Sequence, residues 1–122
     1  MRDHTRLQAF QLADELALRV YRLTATWPRE ERFGLTAQVR KSAVSLPSNI
    51  VEGSARRSEA EYLRFLDIAL GSARELEYQL SLARRLGFDD EPQHAEVAKL
   101  AVRTCKALGG LLRALTPDPH SP

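Results

Sequence analysis

Cysteine occurs once in the 122 residues, as Cys105, so no disulfide can form within the chain. That usage suits a reducing, cytoplasmic setting. Long apolar runs are also missing. None approaches the roughly 20 residues that a membrane-spanning helix needs, so no membrane partner is expected. The opening Met1-Arg2-Asp3-His4 leads into an amphipathic stretch, and no secretory signal is read there. A large excess of one charge is lacking too, since 18 Lys and Arg stand against 16 Asp and Glu. So mild a balance leaves nucleic-acid binding to local clusters of cations. There is no glycine-rich phosphate loop, and the serines around Pro47 have no histidine nearby in sequence. Nothing here reads as an enzyme, and no cofactor or metal is expected.

What the chain does have is helical periodicity. Phe10, Ala13, Ala17, Val20, Thr24 and Trp27 keep a three-four spacing from about Leu7 to Thr26. Leu12, Leu16 and Leu23 form a second stripe beside them, and Pro28 breaks the pattern. A second helix follows Phe33-Gly34, with Leu35, Val39, Ser42, Leu46, Ile50 and Gly53 in register. Pro47 lies inside it, removes one hydrogen bond and crowds the Ala43 carbonyl, which predicts a kink and not a break, since the periodicity continues. Ser58 with Glu61 reads as a capping box for a third helix carrying Tyr62, Leu66, Ala69, Ala73, Leu76, Leu80 and Ala83. Gly87 is its expected C-cap. Asp89-Asp90-Glu91-Pro92 opens a fourth, whose stripe is Val97, Ala101, Cys105, Leu108, Leu112 and Leu115. Thr116-Pro117 ends it. The expectation is all-α: one antiparallel up-down-up-down four-helix bundle over residues 1–116 and a flexible tail over 117–122.

One run is more specific than periodicity. Phe33-Gly34-Leu35, Gln38 and the stretch Arg40-Lys41-Ser42-Ala43-Val44-Ser45-Leu46-Pro47-Ser48-Asn49-Ile50-Val51-Glu52-Gly53 stand out. Tyr62-Leu63-Arg64-Phe65-Leu66, Ala69, Gly71-Ser72, Glu75-Leu76 and Leu86-Gly87 extend the pattern. Together with Trp27-Pro28 these residues resemble the bacterial four-helix-bundle family first noticed as reading frames in intervening sequences of large-subunit ribosomal RNA genes. The resemblance implies an up-down-up-down bundle that assembles as a homopentamer. It also points to distant relatives, the accessory variability proteins of diversity-generating retroelements, whose basic pentameric barrels bind nucleic acid and a reverse transcriptase. It carries over no enzymatic activity.

Three groups of residues are candidates for binding. Lys99, Arg103, Lys106 and Arg113 share one face of the fourth helix, with Gly110 in the same stripe and no acid between Val97 and Thr116. Phosphates of RNA or DNA suit such a face; a solvated face complementing the helix dipole is the plainer alternative. Arg40-Lys41, Arg56-Arg57 and Arg84-Arg85 could extend it. Ser48, Asn49, Glu52 and Arg56 read as a polar network serving the proline kink, or else as a polar binding site. Leu12, Leu16, Leu23, Leu63 and Leu70 exceed what one bundle core requires and mark a candidate interface between copies. Trp27, Phe33, Tyr62 and Phe65 read as core or interface anchors. Glu91-Pro92-Gln93-His94 matches one half of a di-iron motif, but a single copy at a helix entrance does not make a metal site. The functional expectation is a non-enzymatic, homo-oligomeric scaffold with a basic surface. The competing one is a protein-binding adaptor, for example of a reverse transcriptase.

Overall fold

Four helices form where the periodicity places them: α1 (Gln8–Thr24), α2 (Leu35–Ser54), α3 (Glu59–Arg85) and α4 (Glu91–Leu115). The computed structural model describes residues 2–89 and 91–117, so most of the expected tail lies outside the described residues. Short 3-10 turns at His4–Arg6 and Arg29–Glu31 complete the described structure, and no strand occurs among those residues. Each helix packs on its neighbours in sequence and α1 closes the ring against α4. The diagonal pairs, α1 with α3 and α2 with α4, bring no Cα atoms within 8 Å of one another among the described residues. The result is an antiparallel four-helix bundle, square in section.

Local chemistry sets the helix ends. Ser58 Oγ accepts the Glu61 backbone N–H at 3.0 Å, satisfying a donor that the first turn of α3 leaves free. At α2 a different device serves: the Glu31 carboxylate accepts from the Leu35 backbone N–H at 3.0 Å, across Gly34. Gly87 ends α3 at φ +76°, a left-handed conformation that suits glycine. Phe88 N–H then reaches back to the Ala83 carbonyl at 3.1 Å.

The core is a column of aliphatic side chains, among them Leu16, Val20, Val39, Leu46, Ile50, Leu66, Leu76 and Leu108, all completely or nearly completely buried. Ala69, Ala73 and Ala83 on α3 are fully buried, which lets neighbouring helices approach closely. Gly53 marks the tightest approach of α2 to α3. A Cβ there would lie 2.7 Å from Cβ of Phe65 and 3.3 Å from the Tyr62 carbonyl oxygen. Among the described residues no helix is long and apolar enough to cross a membrane.

The phase of α1 departs from expectation. Its buried stripe is Ala9, Ala13, Leu16, Val20, Leu23 and, beyond the helix, Trp27, in four-three alternation, with Thr24 of the expected stripe buried beside it. Phe10 and Ala17 are only half-buried. The buried arc falls between the two stripes visible in the sequence, taking Leu16 and Leu23 from one and Ala13, Val20 and Trp27 from the other.

Candidate nucleic-acid interface

Burial of Val97, Ala101, Thr104 and Leu108 turns the opposite side of α4 to solvent. That side carries Lys99, Arg103, Lys106 and Arg113, all exposed. Among the described residues none of the four is in an ion pair, whereas several arginines elsewhere are. Arg2 meets Glu59 at 2.7 Å, and Arg19 meets Glu15 at 2.9 Å and Glu96 at 3.2 Å. Arg84 pairs with Glu91, and Arg56 with Glu52. The mild net charge of the chain thus goes with an unpaired stripe on α4, whose four cations have no acid in reach among the described residues. Gly110 keeps the stripe open, since a Cβ there would meet only Arg113, at 3.9 Å.

Arg40 and Lys41 do not join this stripe. They lie on α2, which is diagonal to α4 across the bundle. Arg40 is held in tertiary structure: Nε donates to Thr24 Oγ1 at 2.8 Å, and the guanidinium sits 4.6 Å over the Tyr21 ring. Lys41 is exposed. Both line a groove of about 660 Å³ with Tyr21, Arg32, Phe33 and Val44. Phe33 is 87% exposed, so it is no core anchor. The Arg32 guanidinium lies 4.9 Å over its ring. Arg32 and Phe33 fall in the connection before α2, outside every periodic stripe. That position, an aromatic beside a cation in a loop, was the available signal.

The four residues read as one polar network do not form one. Asn49 Nδ2 donates backward to the Ser45 carbonyl at 2.8 Å and to Ser45 Oγ at 3.0 Å. Ser45 Oγ in turn meets Ser72 Oγ of α3 at 2.9 Å. Glu52 and Arg56 form a separate surface pair one turn further on, with Arg56 stacked 4.9 Å from the Phe65 ring centroid. Ser48 is exposed. The helical angle explains the split: Asn49 faces α3, whereas Ser48 and Glu52 face solvent. A second polar contact on the same seam, Ser42 Oγ to Glu75 Oε1 at 2.9 Å, belongs with Asn49 and Ser45.

The candidate interface leucines divide as well. Leu16 and Leu23 are 0% and 3% exposed and belong to the core of a single chain, so they are not spare apolar surface. Leu12 and Leu70 are half-buried and pack against that core, and Leu63 is half-buried. The apolar surface left uncovered is different: Leu18, Val44 and Val51 on the outward sides of α1 and α2, with Ile68, Tyr78 and Val102 on α3 and α4.

The histidine of the Glu91–His94 motif is turned inward. His94 Nδ1 lies 3.0 Å from Asp89 Oδ1, and both side chains are almost wholly buried. Trp27 Nε1 donates to the same carboxylate at 3.0 Å. Glu91 instead pairs with Arg84, so the two motif residues do not converge on one point. Among the described residues no group of three or more His, Cys, Asp or Glu could hold a metal ion. Cys105 is buried in the bundle. Burial, with Glu77 beside it, pushes its thiol from 9.0 up to about 12. Such a thiol is no nucleophile near neutral pH.

Comparison with curated proteins finds no match. A crystal structure of a protein of unknown function from the S23 ribosomal protein family of Bacteroides thetaiotaomicron shares the fold. It is 24% identical, covers 86% of this chain and 95% of its own, and superposes with a TM-score of 0.78. The profile of the 23S rRNA-intervening sequence protein matches residues 5–110. With most of its length so matched, the chain belongs to the 23S rRNA-intervening sequence protein family.

Proposed function

We infer that the protein is a non-enzymatic helical scaffold that assembles with copies of itself, as a pentamer on the family resemblance, and holds RNA or DNA on the α4 cations. The observation that carries the nucleic-acid half is the α4 stripe itself. Four exposed cations at helical spacing have no acidic partner among the described residues and no acid on their helix from Val97 to Leu115. Like charges gathered on one face repel one another, and a polyanion that neutralises them releases its own counterions. Assembly repeats the stripe around the particle, so that several weak contacts act together.

Support for assembly comes from Leu18 and Val51, which are 49% and 39% exposed on adjoining helices. Purification followed by mass measurement and recovery of bound nucleic acid tests both halves. The reading expects a particle of several chains that retains RNA or DNA at low salt. A monomer without nucleic acid contradicts it. The alternative, a protein-binding adaptor or accessory subunit of an enzyme such as a reverse transcriptase, expects the same particle with a protein partner and no salt-sensitive nucleic acid.

A further inference from the structure

The groove at the start of α2 has a chemistry of its own. Two aromatic rings stand at its rim, each with a guanidinium laid against it: Arg40 over Tyr21 at 4.6 Å and Arg32 over Phe33 at 4.9 Å. Lys41 adds a third cation, and no carboxylate lines the cavity. Arg40 is fixed by Thr24, so one cation and one ring are already in place before anything binds. Phe33 is almost entirely in water at 87% exposure, with its ring free to meet a flat partner.

We propose that this groove binds an unpaired nucleic-acid strand, with a base stacked on Phe33 and the flanking phosphates held by Arg32, Arg40 and Lys41. Cations that track a backbone, interleaved with aromatic faces that take bases, are what single-strand binding requires. A duplex keeps its bases stacked on one another and cannot use Phe33 in this way. Charge complementarity argues against a second copy as the occupant. The exposed side of α4 carries Glu91 and Glu96 before Lys99, Arg103, Lys106 and Arg113, that of α3 mixes Arg64 and Arg74 with Glu61, Asp67 and Glu75, and that of α1 mixes Asp14 with Arg22. Each of these faces carries cations of its own, which the three cations of the groove, with no carboxylate among them, would repel.

The proposal does not rest on the α4 cations, which occupy the diagonally opposite helix. Either surface can fail without the other.

The test is fluorescence anisotropy of the full chain with a labelled oligothymidylate and, separately, a hairpin duplex of equal length. Wild type, Phe33→Ala, Phe33→Tyr and the double variant Arg32→Gln/Lys41→Gln are compared, with the α4 glutamine variant alongside. Phe33 touches no core, so Phe33→Ala keeps the fold, which circular dichroism checks. The expected result is a roughly tenfold loss of single-strand affinity in Phe33→Ala, retention in Phe33→Tyr and less than about twofold change on the duplex. The double variant weakens single-strand binding and flattens its salt dependence.

Absence of single-strand binding, or binding unchanged in Phe33→Ala, overturns the proposal. Equal loss on strand and duplex overturns it as well, since stacking is then not involved. Competition by a polyglutamate peptide as strong as that by oligothymidylate points to an acidic protein partner instead. A change in particle mass in Phe33→Ala makes the groove an interface between copies and also defeats the proposal. Loss confined to the α4 variant supports the α4 reading and overturns this proposal.

Discussion

Trp27 and Asp89 tie the end of α1 to the turn before α4: the indole N–H donates to the carboxylate at 3.0 Å. The same carboxylate takes His94 of α4, so one buried acid holds three segments. Removing it leaves an indole N–H and an imidazole without their partner in the bundle interior. Asp89→Ala is expected to cost about 2–4 kcal/mol of stability. Asp89→Asn, which keeps an acceptor oxygen, costs less. Urea unfolding followed by fluorescence checks this directly, because Trp27 is the only tryptophan. A loss below about 0.5 kcal/mol contradicts the assignment.

Two glycines make opposite predictions. At Gly53 an added methyl meets Cβ of Phe65 at 2.7 Å and the Tyr62 backbone at 3.3 Å, and neither is the loose end of a flexible chain. Gly53→Ala forces α2 and α3 apart and is expected to cost about 1–3 kcal/mol. At Gly71 nothing lies within 4 Å, and the residue sits inside α3. Gly71→Ala therefore stabilises by about 0.5–1 kcal/mol if that face stays in solvent. Melting temperatures of the two variants should move in opposite directions.

Cys105 predicts a dependence on alkaline pH. Its thiol is raised from 9.0 to about 12 by burial, with Glu77 adding to the effect. Below pH 9 folded and unfolded chains both hold the proton, and the contribution is fully present. Above it the unfolded thiol ionises while the folded one does not, so stability falls as pH rises from 9.0 towards about 12. Cys105→Ala should unfold at lower denaturant overall, with a shallower decline over that window. Alkylation of the native thiol near neutral pH should be far slower than that of the unfolded chain.

Leu16 and Leu18 separate folding from assembly. Leu16 is completely buried in the chain's own core, and Leu16→Ala is expected to cost about 2–5 kcal/mol. Leu18 is 49% exposed, so Leu18→Glu leaves the fold largely intact. If the α1–α2 side joins copies, light scattering should show Leu18→Glu as a smaller particle at unchanged helicity. An unchanged mass places the assembly surface elsewhere.

Much of the bundle was legible in the sequence because helix ends and apolar spacing are local. The Ser58 cap, the Gly87 stop and the core stripe of α3 needed no knowledge of neighbours. The phase of α1 did not yield in the same way. With apolar residues on two adjacent stripes, only the positions of α2 and α4 decide that Leu16 and Leu23 go inside and that Phe10 and Ala17 stay partly out. The polar cluster was legible in part: the Glu52–Arg56 pair follows from a spacing of four, whereas the link to α3 did not yield, for a related reason. Ser45 and Ser72 are far apart in sequence and meet only when α2 packs on α3, so Asn49 was grouped with its sequence neighbours. For the basic surfaces, the α4 stripe was visible as spacing. The pairs Arg19–Glu15 and Arg56–Glu52 are local, at a spacing of four, whereas the contact of Arg19 with Glu96 depends on tertiary geometry. The groove at Phe33 forms only where the connection before α2 lies beside Tyr21 and Arg40, which spacing along the chain does not show.

The most direct measurement of the account is the salt dependence of nucleic-acid binding by the assembled protein. Association constants for a duplex are determined across a range of salt, for wild type and for the variant carrying Lys99→Gln, Arg103→Gln, Lys106→Gln and Arg113→Gln. The account predicts that the slope of log K against log salt becomes shallower by about 3 in the variant, as lost phosphate contacts release fewer counterions. Superimposable slopes and affinities, with the variant's particle mass unchanged, contradict it.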